Sequence, residues 1–188
     1  MRREKENESR LQPRTIVIAG MIVLAAALRI LPHPMNFAPI GAMALFSGAY
    51  FSSKRAAFLV PLAALAAGDC VTGFHRLVPW VYASFLVSVA IGFWLRREKS
   101  AARIGAATVL GALEFFLVTN FAVWVSGIGS YPKTGAGLAE CYVAGVALLG
   151  NTLAGDAFYA ALLFGGMALA ERRFPSLREP LAAMPSQN

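Results

Sequence analysis

The chain consists of six long apolar stretches separated by short polar connections. The stretches cover residues 15–31, 36–51, 56–72, 77–95, 104–125 and 138–170. Most of them are close to the roughly 20 residues that an α-helix needs to cross a bilayer. They lack the alternating pattern of barrel strands, and backbone groups inside a bilayer need internal partners. The pattern therefore predicts an all-α protein, a polytopic membrane bundle of six transmembrane helices.

The basic residues predict how this bundle is oriented. Of the 17 Lys and Arg, fourteen lie in the two tails and in alternate connections. The other side receives only Arg29, Arg76 and Lys133. Because positive charge accumulates on the cytoplasmic side, both termini are predicted to be cytoplasmic. We expect a multi-pass protein of the bacterial inner membrane.

Composition agrees with one membrane domain flanked by two short tails. The chain is 57% hydrophobic and only 14% charged. We expect a basic cytoplasmic tail over 1–14, a six-helix membrane domain over 15–172 and a cytoplasmic tail over 173–188. A net charge of +7 would suggest nucleic acid in a soluble chain. Here the basic residues flank apolar stretches without interleaved aromatics, so their predicted partner is the lipid bilayer and not nucleic acid.

The last apolar stretch is too long for one crossing. Its 33 residues would extend about 50 Å as a helix, whereas the hydrocarbon core is about 30 Å thick. Counting about 20 residues back from Arg172 reaches Asn151 and Thr152. The residues from 138 to 149 are therefore predicted to form an extra outer or re-entrant segment before the last helix.

Polar side chains in the apolar stretches are the candidate ligand contacts, since a charge at the bilayer centre costs about 2.5 to 3.5 kcal/mol. We expect most of them to converge near the outer face. A structural ion pair with Arg29 is the alternative role for the carboxylates. Tyr82 and Trp124 are candidates for stacking on a ligand, or members of an interfacial aromatic belt. The candidate substrate-binding residues are Arg29, Asn36, Asp69, Tyr82, Asn120, Trp124, Asn151 and Asp156.

Three further residues have a separate interpretation. Glu114 lies eleven residues past Arg103, hence near the predicted midplane, where a proton or cation site and a hydrogen-bonded packing role are both open. His33 and His75 fall on the outer side, but no HxxxH or CxxC spacing supports a metal site. Interfacial histidines are the preferred interpretation, and we expect no metal and no cofactor.

Several short motifs resemble an uncharacterised family of small bacterial six-helix proteins associated with transport. The resemblance covers nearly the whole chain after Pro32. That family is in turn similar to the substrate-capture (S) components of energy-coupling-factor importers. The motifs are His33-Pro34-Met35-Asn36-Phe37-Ala38-Pro39-Ile40-Gly41-Ala42, Gly68-Asp69, Trp80-Val81-Tyr82, Thr119-Asn120-Phe121-Ala122-Val123-Trp124 and Asn151-Thr152-Leu153-Ala154-Gly155-Asp156.

The resemblance implies a membrane subunit that binds a vitamin-like or metal-related nutrient in an outward-facing pocket. Its partners would be the small-molecule ligand, an energy-coupling membrane subunit and ATPases. The chain itself has no Walker A motif, nucleophile elbow or zinc-protease motif, so no enzyme activity is expected. Two alternatives stay open: a membrane-embedded enzyme or lipid-binding protein, and an autonomous proton-coupled carrier that uses Glu114.

Overall fold

The structure is a computed structural model that describes residues 13–178. Within this range it contains six α-helices, one 3-10 turn and no strand, which confirms the all-α prediction. Most of the two predicted tails, namely residues 1–12 and 179–188, lies outside the described residues. The helices are α1 Pro13–Leu28, α2 Ile40–Tyr50, α3 Lys54–Thr72, α4 Val78–Trp94, α5 Ala101–Val125 and α6 Gly135–Arg173, followed by the 3-10 turn Pro175–Leu177.

The helices differ in length. Helices α3, α5 and α6 are long and apolar enough to cross a membrane, which indicates a membrane protein. Helices α1, α2 and α4 are also apolar but have only 16, 11 and 17 residues. At about 1.5 Å per residue, α2 is about 16 Å long, roughly half the hydrocarbon core.

Side-chain caps and backbone breaks set the helix ends. Ser53, Ser100 and Thr134 precede α3, α5 and α6, and each accepts a hydrogen bond from the amide three residues later. These bonds satisfy amides that have no partner inside the helix. Helix α3 ends at Gly73, whose φ of 94° favours glycine.

Helix α2 lies at the centre of the bundle. All of its residues from Ala42 to Tyr50 are buried. It crosses α4 at Gly48 and Gly92, where a Cβ on either glycine would overlap the backbone of the other helix. Two glycines at the crossing allow the backbones to touch, as in small-residue interfaces between membrane helices.

Two ends of the bundle can be defined by their connections. The pocket end carries the connections 29–39, 73–77 and 126–134, and the basic end carries 51–53, 95–100 and 174–178. Of thirteen Lys and Arg in the described residues, ten lie near the basic end. The remaining three, Arg29, Arg76 and Lys133, lie at the pocket end.

The prediction of a separate outer or re-entrant segment before the last helix is wrong. Helix α6 runs without interruption for 39 residues. No proline lies within it to interrupt its backbone hydrogen bonds. Thr152 donates to the Leu148 carbonyl within the helix, and Asn151 donates to a connection outside it. The first part of α6 packs along α5, where Gly145 meets the side chain of Asn120.

Candidate functional site

A cavity of about 380 Å³ lies at the pocket end. Its volume falls within the range of about 300 to 1,000 Å³ that is typical of small-molecule sites. Helices α4, α5 and α6 and the connection 29–39 form most of its walls. It is lined by Arg29, His33, Met35, Asn36, Ala38, Ile40, Gly41, His75, Leu77, Val81, Phe85, Ser88, Phe115, Thr119, Asn120, Val123, Leu148, Thr152 and Asp156.

Three helices line the cavity with regularly spaced rows. Residues four apart lie on one face of a helix, so each helix presents a single face to the cavity. The rows are Leu77, Val81, Phe85 and Ser88 on α4 and the residue before it, Phe115, Thr119 and Val123 on α5, and Leu148, Thr152 and Asp156 on α6. Most of these side chains are apolar, with hydroxyl groups placed among them.

The connection 29–39 closes another side of the cavity. Asn36 lies in it with φ 63°, a left-handed conformation that asparagine tolerates better than most residues. The connection is fixed by Asn151, whose Nδ2 donates to the Met35 carbonyl over 2.9 Å. Phe37 anchors it further by packing its ring against Phe158 and Tyr159.

Asp156 joins the cavity to the central helix. Its side chain is buried, and its Oδ1 accepts a hydrogen bond of 3.2 Å from the amide of Ala42. The residue before α2, Pro39, provides no side-chain cap, so α6 supplies the cap instead. A Cβ on Gly41 would lie 2.5 Å from Oδ2 of Asp156, so any larger residue there would push the carboxylate away from α2. A carboxylate at a helix N-terminus is also favoured by the helix dipole.

Arg29, Asp69 and Tyr82 form a hydrogen-bonded chain beside the cavity. Nη1 of Arg29 donates to Oδ1 of Asp69 over 2.6 Å. The hydroxyl of Tyr82 donates to the other carboxylate oxygen over 2.9 Å. Arg29 lines the cavity, whereas Asp69 and Tyr82 do not. The ion-pair role considered for Asp69 from the sequence is therefore present, and it positions Arg29.

The remaining predicted residues divide between the cavity and other places. Asn36 and Asn120 line the cavity with Arg29 and Asp156. Asn151 supports the connection from outside the lining. Trp124 lies at the end of α5, where its Nε1 donates to the Pro132 carbonyl over 2.9 Å. It does not line the cavity.

Glu114 and the two histidines also differ in placement. The Ser84 hydroxyl lies 2.8 Å from both carboxylate oxygens of Glu114 and donates its one hydrogen to that carboxylate. Glu114 does not line the cavity. His33 and His75 do line the cavity. Among residues 13–178, no group of three or more His, Cys, Asp or Glu could hold a metal ion. Cys70 and Cys141 are both free thiols.

Several cavity residues were missed from the sequence. Thr119 and Thr152 directly neighbour the predicted Asn120 and Asn151, and Phe85, Ser88 and Phe115 carry no charge that would mark them as candidates. The four-residue rows were the available signal, since a threonine and a carboxylate four residues apart share a helix face. The amphipathic lining suits a small ligand with an apolar body and a polar group.

Comparison with known proteins places the chain in a family. The chain belongs to DUF6580, a family of unknown function, whose profile matches residues 9–177. No curated protein and no solved structure gives a significant match to the chain. The family description carries no activity, so a function has to be argued from the cavity itself.

Proposed function

We propose that this protein is a substrate-binding membrane subunit of a bacterial nutrient importer, with a vitamin-like or metal-related ligand held in the cavity at the pocket end. The observation that carries the proposal is the cavity of about 380 Å³, which combines an apolar lining with Arg29, Asn120 and Asp156. A capture subunit needs a site of this kind that opens towards the side where the nutrient arrives.

Charge distribution supports an outward-facing cavity in the inner membrane. Ten of the thirteen described Lys and Arg lie near the basic end, which the positive-inside rule assigns to the cytoplasm. The pocket end then faces outward, and all six helices cross the membrane with both termini cytoplasmic. The short α2 completes its crossing together with the connection 29–39, and the surrounding helices shield α2 from lipid.

Partner dependence is part of the proposal. The sequence has no Walker A motif, so energy for uptake would come from a coupling membrane subunit and its ATPases, as the resemblance to S components implies. Glu114 is bonded to Ser84 and does not line the cavity, which gives little support to an autonomous proton-coupled carrier. A lipid-binding role would use the same largely apolar lining.

Native mass spectrometry of the detergent-purified protein tests for a captured ligand. We expect a small molecule to co-purify with the wild type and to be lost from Thr119→Phe, because the larger ring fills the cavity. Leu117→Phe is the matched control, since Leu117 lies two residues away on the same helix and is 54% exposed. Equal retention by both variants would place the ligand elsewhere, and a phospholipid as the retained molecule would favour the lipid-binding alternative.

Vesicle reconstitution tests the importer role of the identified ligand. We expect saturable binding without accumulation, because the chain has no ATP site. Gradient-driven accumulation by this protein alone, abolished by Glu114→Gln, would instead identify a proton-coupled carrier.

A further inference from the structure

We infer that the cavity selects small amphipathic carboxylates, with the carboxylate on Arg29 and the apolar body against Phe85 and Phe115. The inference rests on the proposed function, because it names the ligand class of the same site.

Most hydrogen-bond donors of the Arg29 side chain have no acceptor among residues 13–178. A guanidinium carries five N–H groups in one plane, and it binds carboxylates through paired N–H groups. Among residues 13–178, the only hydrogen-bond partner of Arg29 is Asp69, which uses Nη1 alone. Tyr82 holds the other oxygen of that carboxylate. The guanidinium is thus fixed along one side, while Nε and Nη2 keep their N–H groups for a second planar anion.

His75 adds a donor to the same cavity. Its Nδ1 accepts a hydrogen bond of 3.2 Å from the amide of Leu77, so this nitrogen carries no proton. The ring proton of neutral His75 therefore lies on Nε2, which can donate to an anion. His33 is oriented the other way, because its Nδ1 lies 2.6 Å from the Leu31 carbonyl and must donate to it.

The carboxylates around the cavity already face positive partners. Oδ1 of Asp156 accepts from the amide of Ala42, and its Oδ2 lies against Gly41 at the N-terminus of α2. Asp69 is bonded to Arg29 and Tyr82. An ammonium could still bind these oxygens, but it would meet carboxylates that already face the N-terminus of α2 or the Arg29 guanidinium. An anionic ligand would instead use N–H groups of Arg29 and His75 that have no acceptor among residues 13–178. This difference favours a carboxylate over an amine.

Three probes that share one body test this selectivity: 4-phenylbutanoate, 4-phenylbutan-1-ol and 4-phenylbutan-1-amine. Calorimetry on the full-length protein in detergent near pH 7 would compare their affinities, since the acid is ionised well above a pKa of about 4.3. The Thr119→Phe variant, in which the larger ring fills the cavity, is the control for probe molecules that partition into the detergent micelle. We expect the acid to bind roughly tenfold or more tightly than the alcohol, as charge-assisted hydrogen bonds would produce.

The variant Arg29→Gln should reduce affinity for the acid about tenfold and leave the alcohol unchanged. Because that variant leaves Asp69 without its cation, Arg29→Gln/Asp69→Asn provides a charge-neutral version with the same expected result. Tighter binding of the amine than of the acid, equal binding of acid and alcohol, or no saturable binding of the acid up to ~10 mM would each overturn the inference. None of these results would contradict the proposed function, which is tested separately by co-purification and vesicle uptake.

Discussion

The two ends of the bundle use charged side chains in opposite ways. At the basic end, Arg96 donates to the carbonyls of Gly48 and Phe51 over 2.9 and 2.6 Å, and so caps the C-terminus of α2. Arg14 donates to Glu171 and to the Leu177 carbonyl over 2.9 and 2.7 Å. These contacts tie helix ends together and close the bundle.

At the pocket end, the single lining arginine faces a cavity. Asp69 holds the Arg29 guanidinium through one ion pair, and the other N–H groups of Arg29 have no partner among residues 13–178. The interior differs accordingly, since Phe46, Tyr50 and Phe164 fill the basic end with ring centroids 4.7 to 5.7 Å apart. An arginine bonded to helix carbonyls thus stabilises the fold, whereas an arginine held by one carboxylate keeps N–H groups available for a ligand.

Helix α2 connects the two ends electrostatically. Its N-terminus meets the Asp156 carboxylate from α6, and its C-terminus meets the Arg96 guanidinium from α4. Both charges complement the helix dipole, which is positive at the N-terminus and negative at the C-terminus. A buried helix of only 11 residues has few other ways to satisfy its terminal backbone groups.

The largest effect is expected from breaking the packing of α2 against α4 near the basic end. Gly92→Leu places a side chain against the backbone of α2 at Leu45, which neither helix can avoid without separating. We expect a loss of about 3 kcal/mol or more, seen as loss of monodisperse protein and a lowered melting temperature in detergent. Gly20→Leu is the control, because a Cβ there has nothing within 4 Å. Equal melting temperatures for the two variants would contradict the close crossing.

The next largest effect concerns the ion pair between Arg29 and Asp69 at the pocket end. Asp69→Ala leaves the Arg29 guanidinium without its anion, and the Arg29 side chain is only 16% exposed. Removing one partner of a buried pair typically costs 3 to 5 kcal/mol, and partial exposure of Arg29 reduces this to about 2 to 3 kcal/mol. The measurement is thermal unfolding in detergent.

A double variant separates the charge from the packing. Arg29→Met/Asp69→Leu should recover most of the stability lost by Asp69→Ala, since no uncompensated charge is left. If the double variant were less stable than Asp69→Ala, the pair would be holding the fold together and not orienting Arg29.

Much of the fold could be predicted from the sequence, because apolar length and turn residues act locally. The order and type of all six helices follow from the apolar stretches, and Ser53, Ser100 and Thr134 mark three of the starts. The bounds of α2 were less predictable. Its apolar stretch begins at residue 36, but the helix begins only at Ile40, since residues 36–39 turn to line the cavity.

The height of the candidate site residues along the bundle was predictable from the sequence. The direction in which their side chains face was less predictable. Sequence position gives the height of a residue along a membrane helix, and this was enough to bring Arg29, Asn120 and Asp156 to one cavity. Which way a side chain faces depends on how helices pack, which a single sequence does not contain. Asn151 therefore bonds the connection at Met35, while its neighbour Thr152 lines the cavity.

The smallest effects separate two arginines of the basic end. Arg96→Ala removes two charge-assisted bonds to the carbonyls of Gly48 and Phe51, and we expect a cost of about 1 to 2 kcal/mol. Arg103→Ala removes an ion pair to Glu98 whose side chains are 37% and 53% exposed, and such surface pairs contribute about 0.5 kcal/mol or less. Thermal unfolding of both variants at low and high salt measures the difference. Equal costs would mean that the basic end is held by its net charge and not by the capping of α2, and the contrast between the two ends would then lose its structural basis.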